Sequence, residues 1–179
     1  MTNLVSMDQI NRIIRAKIIE QLNIDASMVR DLEYLYGADL DKSTDNVDFE
    51  SIEPGQSLVV FAIDPMPSGN NTSQTIDDKI VVTQQFVCRI IIYGDESDMD
   101  ATILSARLRT EKVRDDLYAS GLFVESVSEI NEVNEFMNAS IWTRHDFTIN
   151  LACEFTLDQV TDYPDFAALN KLTIIEKEN

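Results

Sequence analysis

Asp146-Phe147-Thr148-Ile149-Asn150-Leu151-Ala152-Cys153-Glu154-Phe155-Thr156-Leu157 is the stretch whose reading decides the fold. Phe147, Ile149, Leu151, Cys153, Phe155 and Leu157 alternate with mostly polar neighbours. Successive side chains of a strand point to opposite faces, so this alternation predicts a long strand with one apolar face on a core. The other face meets water or a partner. Ile141 begins the run into the strand, with Arg144, His145 and Asp146 near its start.

Upstream, Leu122 to Ile130 reads as another strand, and Glu129 to Ser140 as a polar connection. Before that, Ser97 or Asp98 is a candidate N-cap for a helix over about Met99–Ala119, with Gly121 as its stop. Its stripe is Ile103, Leu104, Leu108, Val113 and Leu117, with acids at its start and bases further along, as the helix dipole favours. Lys79 to Tyr93 is rich in Ile, Val and Phe and predicts one long strand, bent where Gln84-Gln85 interrupts it. Leu58 to Ile63 predicts a strand ended by Pro65 and Pro67, and Ser68 to Ser73 a small, polar loop tip.

At the N-terminus, Ser6 with Gln9 forms a capping-box pattern, and Ile10, Ile13, Ile14, Ile18 and Leu22 recur at helical spacing to about Asn23. Asp25 is a candidate cap for a shorter helix carrying Met28, Val29, Leu32 and Tyr36, with Gly37 as its stop. Asp39 to Glu53 is acidic and has no period, so it reads as a solvated loop closed by Pro54-Gly55. After Leu157 the pattern lapses, and Leu172, Ile174 and Ile175 suggest a short terminal strand.

The order is helix, helix, strand, strand, helix, strand, strand and tail. Strands joined by loops favour antiparallel pairing, and strand–helix–strand allows one parallel pair. The expected architecture is α+β, a single domain over residues 1–179. It has a mixed, mostly antiparallel sheet of four to five strands packed under two main helices. Within it lie the N-terminal helix (6–23), the acidic loop (39–56), the sheet with its central helix (57–157) and the tail (158–179).

Composition narrows the function. The 179 residues are 44% hydrophobic and 26% charged, ordinary for a globular chain, but the net charge is −18. Such a chain repels phosphate backbones and anionic membranes, which argues against sequence-independent nucleic-acid binding. No apolar segment reaches the ~18–20 residues needed to span a membrane. Met1 to Ile10 has neither the basic region nor the apolar run of a secretion signal, so synthesis in the cytosol is expected.

Catalytic motifs are scarce. His145 is the single histidine, and no motif supports a nucleophile–base pair around it. Five glycines supply no phosphate-cradling loop. Cys88 and Cys153 sit in apolar strand runs and read as buried small hydrophobes, not zinc ligands or a disulfide. Asp39, Asp41, Ser43, Asp45 and Glu50 match the ligand spacing of an EF-hand loop, yet Thr44 stands where a glycine makes the turn and Pro54-Gly55 interrupts the exiting helix. The solvated loop is the preferred reading there. No enzyme, cofactor or metal is expected. The basic cluster Arg107, Arg109, Lys112 and Arg114 carries two open readings: a solvated helix face, or a docking site for an acidic surface on another copy.

The order of residues from Phe86 to Phe155 resembles the tail terminator, or neck, proteins of long-tailed bacteriophages. The resemblance lies in Ile91-Ile92-Tyr93-Gly94, then Ala101 and Leu104 to Leu108, Val113-Arg114, Leu117 and Gly121-Leu122. It ends with Trp142-Thr143-Arg144-His145-Asp146-Phe147. It implies a structural virion protein at the tail–neck junction, assembled in the host cytoplasm. It further implies a ring of identical subunits, commonly six, which caps the tail tube protein, stops tube growth and joins a head-side neck or stopper protein while DNA passes through. An exposed edge strand is one way to close such a ring, by strand addition. The alternative is an acidic DNA mimic that inhibits a nucleic-acid-binding partner. The candidate subunit or partner interface is Arg107, Arg109, Lys112 and Arg114 together with Arg144 and Asp146. The apolar face of the long strand is assigned to the core beneath the two helices, and charge reversal at Arg144 is expected to weaken assembly more than folding.

Overall fold

A computed structural model describes residues 7–31, 55–66, 72–76, 79–137 and 140–158. The acidic loop 39–53, the segment 32–37 and the tail from 159 onward lie outside these residues. The second long-strand candidate and the opening stretch become the two central strands of one sheet. These are β4 (Lys79–Gly94) and β7 (Ser140–Asp158), antiparallel from Lys79↔Asp158 to Tyr93↔Arg144. Gln84 and Gln85 do not break β4, because both pair in register with Cys153 and Ala152 of β7.

Around this pair the other strands take their places. On the β4 side lie β2 (Ser57–Pro65) and β3 (Thr72–Ile76), both antiparallel to β4, with β1 (Val29–Asp31) parallel to β2. On the β7 side lie β5 (Leu122–Val127) and β6 (Asn131–Met137), each antiparallel to β7. The sheet has seven strands among the described residues, with main order β1-β2-β4-β7-β5. The α+β class and the mostly antiparallel pairing are as expected, but the strand count exceeds the four to five expected.

The helices are α1 (Met7–Leu22), α2 (Ser97–Leu108) and α3 (Glu111–Ala119). The predicted single helix over 99–119 is therefore two. Leu104 and Leu108 are buried on α2 and Val113 and Leu117 on α3, and the step from 108 to 113 is out of phase with a 3.6-residue period. A break at Arg109-Thr110 restores the phase so that both segments face the core. Ser97 is the first residue of α2, with Glu96 at the cap position, so neither expected cap serves there.

The predicted helix after Asp25 is also corrected. Asp25 caps, accepting from Ser27 N at 2.8 Å, but it opens only a 3₁₀ turn over Ala26–Met28, and the chain then enters β1. Val29 is buried and pairs with Val59, so sheet pairing prevails over local helix preference. Asn23, at φ 55, ends α1 in the left-handed region, where asparagine is tolerated.

One sheet face carries the main core. Ile10, Ile14 and Ile18 of α1, Leu104 and Leu117 of α2 and α3, and Phe61, Phe86, Ile90, Phe147, Ile149 and Leu151 of the strands form one buried cluster. Each such side chain contributes roughly 1.5–3 kcal/mol by leaving water. The opposite face is not uniformly polar: Leu58, Val60 and Tyr93 are buried there, with Met28, Ile91 and Trp142 packed beside them. None of the described helices is long and apolar enough to cross a membrane.

Candidate assembly site

β6 and β7 form a hairpin whose pairing runs from Asn131↔Asp146 to Met137↔Ser140. Two clusters sit on its two faces. On the face away from the helices, Arg144 donates to Glu135 and, at 3.2 Å, to the Tyr93 hydroxyl. Its other terminal nitrogen lies 3.2 Å from Asp146 Oδ2, and its guanidinium stands 6.0 Å from the Tyr93 ring centroid. Tyr93 donates in turn to Glu135 at 3.2 Å. Burial pushes the Tyr93 hydroxyl up to about 12. Partial burial also holds Asp146 above the ordinary carboxylate range, although Arg144 pulls the other way. Arg144 Nε and Asp146 Oδ1 are buried without a hydrogen-bond partner.

The helix-side face holds His145, which is 9% exposed, with its Nδ1 3.0 Å from Ser97 Oγ. This contact ties the start of α2 to β7. Beside it opens a cavity of about 640 Å³ whose walls include Asp95, Asp98, Glu132, Ile141, Trp142 and His145. At the rim, Phe136 and Ile141 stand opposite each other across the strands, and each is 74% exposed.

The basic cluster is placed at the α2–α3 corner. Arg107 donates to the Gln21 carbonyl at the end of α1. Arg109 donates to the carbonyls of Val127 and Ser128 at 3.0 and 2.8 Å, and Arg114 to that of Val124 at 2.6 Å, where β5 bulges. Lys112 is exposed and makes no hydrogen bond or ion pair among the described residues. The two arginines occupy carbonyls along β5, which blunts that edge for strand addition.

The structure therefore joins Arg144 and Asp146 in one network and sets the other four at a separate corner. Reading the sequence missed Glu135, Phe136 and the whole of β6, as well as Ser97 as the partner of His145. The signal for β6 was weak: Asn131 to Met137 does not alternate, and only the two residues separating it from Ser140 marked a hairpin. β3 was missed for the same reason, because Thr72-Ser73-Gln74 carries no apolar face. Cys88 and Cys153 are free and buried, and burial pushes the Cys153 thiol up to about 12. Among the described residues, no group of three or more His, Cys, Asp or Glu side chains is arranged to hold a metal.

Fold and surface together define an α+β protein with a mixed, mostly antiparallel sheet and a charged hairpin. A family model described as phage neck terminator protein matches residues 48–178. The chain belongs to this phage neck terminator family, whose members are structural proteins of the phage neck and tail. Comparison with curated proteins finds no match.

Proposed function

We propose that this protein is a tail terminator: a ring of identical subunits, six by the family resemblance, at the head-proximal end of the tail tube. It stops tube growth and joins the tail to a head-side stopper protein while DNA passes through the lumen. It assembles in the host cytoplasm and acts without catalysis. The family match over residues 48–178 carries this reading. The net charge of −18 supports it, because a negatively charged channel wall keeps passing phosphates from sticking. The basic α2–α3 corner and the Arg144–Asp146 network are the surfaces proposed for subunit or partner contacts.

Native mass spectrometry and negative-stain imaging, with and without assembled tail tubes, test the proposal. Closed rings, alone or on tube ends, are expected. A strict monomer that leaves tube ends free and tube length unregulated would overturn it.

A further inference from the structure

Among the described residues, two surface features on the helix-side face of the β6–β7 hairpin are left uncovered. One is the exposed pair Phe136 and Ile141, and the other is the adjoining cavity with Asp95, Asp98 and Glu132 in its wall. We propose that this face receives the α2–α3 corner of the next copy of the same chain, with Lys112 entering the cavity. The inference rests on the ring reading above and names the contact that would close the ring.

Charge placement carries it. The cavity lies at the N-terminal end of α2, where Ser97 and Asp98 line it, and the basic corner lies just beyond the C-terminal end. Twelve helical residues separate these ends by about 18 Å, so one molecule presents opposite charges on two distinct faces. Distinct faces make a heterologous contact, the kind that closes into a ring when its rotation permits. Copies of a chain at −18 repel one another, so their association needs local pairing of opposite sign.

Among the four bases of the corner, Lys112 is the one without a bond inside its own chain among the described residues, since the three arginines hold carbonyls. A lysine suits the cavity chemically. Its aliphatic stem lies along Ile141 while its ammonium reaches the carboxylates. His145 adds a ring nitrogen, Nε2, that has no hydrogen-bond partner among the described residues, on a side chain lining the same cavity. Phe136 and Ile141 then pack at the rim and keep water from the ion pairs.

Lys112→Glu, Glu132→Lys and the double exchange, each in the full chain, test the contact by native mass spectrometry with and without assembled tubes. Both substituted residues are exposed, so circular dichroism spectra should match wild type. Each single variant is expected to need about tenfold more protein or greater to form rings, and the exchange to restore them to within about threefold of wild type. If single variants form rings like wild type, this contact falls while the ring reading stands. Loss in both singles without rescue overturns the Lys112–Glu132 pairing, and an isologous dimer overturns the head-to-tail geometry. A wild type that stays monomeric even on tubes overturns both readings.

Discussion

Gly94 is a residue where backbone geometry leaves little choice. It sits at φ +121 at the end of β4, and a Cβ there would lie 2.3 Å from the Gln56 carbonyl oxygen. Gly94→Ala is expected to cost about 3 kcal/mol in urea unfolding, from both the clash and the disfavoured φ. One position earlier, Tyr93 links the sheet to the hairpin through Arg144 and Glu135. Its hydroxyl titrates from 10.0 when free towards about 12 when folded, so the folded chain holds this proton more tightly. The resulting stability is complete below pH 10 and is lost as pH rises through the folded value. Thermal melts from pH 9 to 12 should therefore fall less steeply for Tyr93→Phe than for wild type. Arg144→Met strands Glu135 and Asp146 as like charges in a partly buried place, and should cost about 1–3 kcal/mol by denaturant titration. With three partners inside its own chain, Arg144 is a poor position at which to separate assembly from folding. Lys112 is a better one.

Elements divide by how they are held. β4 and β7 are stabilised along their full length by pairing and by a buried face, whereas β6, among the described residues, pairs only with the first residues of β7. Leu104→Ala on α2 opens a cavity in the main core and should cost about 2–5 kcal/mol. Phe136→Ser on β6 removes an exposed ring, so its unfolding free energy should stay within about 0.5 kcal/mol of wild type. If Phe136→Ser unfolds the protein, the ring is part of the fold and not a contact surface. Sequence patterning made the first group legible. The stripe Ile10, Ile14, Ile18 and the alternation Phe147, Ile149, Leu151, Cys153 state their periods directly, and all seven residues are buried. It failed where tertiary contacts outweigh local pattern: at Val29, drawn into the sheet beside Val59, and at Thr110, where a change of helical phase requires a break.

At the scale of the whole molecule, charge governs what the surface can meet. With 32 acidic against 14 basic residues, the chain should show no measurable binding to duplex DNA at 0.15 M salt, by fluorescence anisotropy. Tight, salt-sensitive binding there would contradict a lumen through which DNA slides. The candidate site was only partly legible at this scale. Arg144 and Asp146 were visible as charged residues at the start of a strand, and their contact is real. The acidic cavity was not visible, because Asp95, Asp98, Glu132 and His145 come from separate stretches that the hairpin and the start of α2 bring together.

The opening stretch shows where the two sources of information part. Alternation from Phe147 onward determined by itself that there is a long strand with a buried face, because the period of side-chain direction is a local property of extended chain. The same holds for the helical stripe of α1 and for the acidic balance of the chain. Only the tertiary structure decided that this strand is central, that its outer face meets Tyr93 and a small second apolar cluster, and that its first residues project as a hairpin with Phe136 and Ile141 exposed. Those outcomes depend on strand order and register, which arise from pairing between segments far apart in the chain and leave no periodic trace in either one.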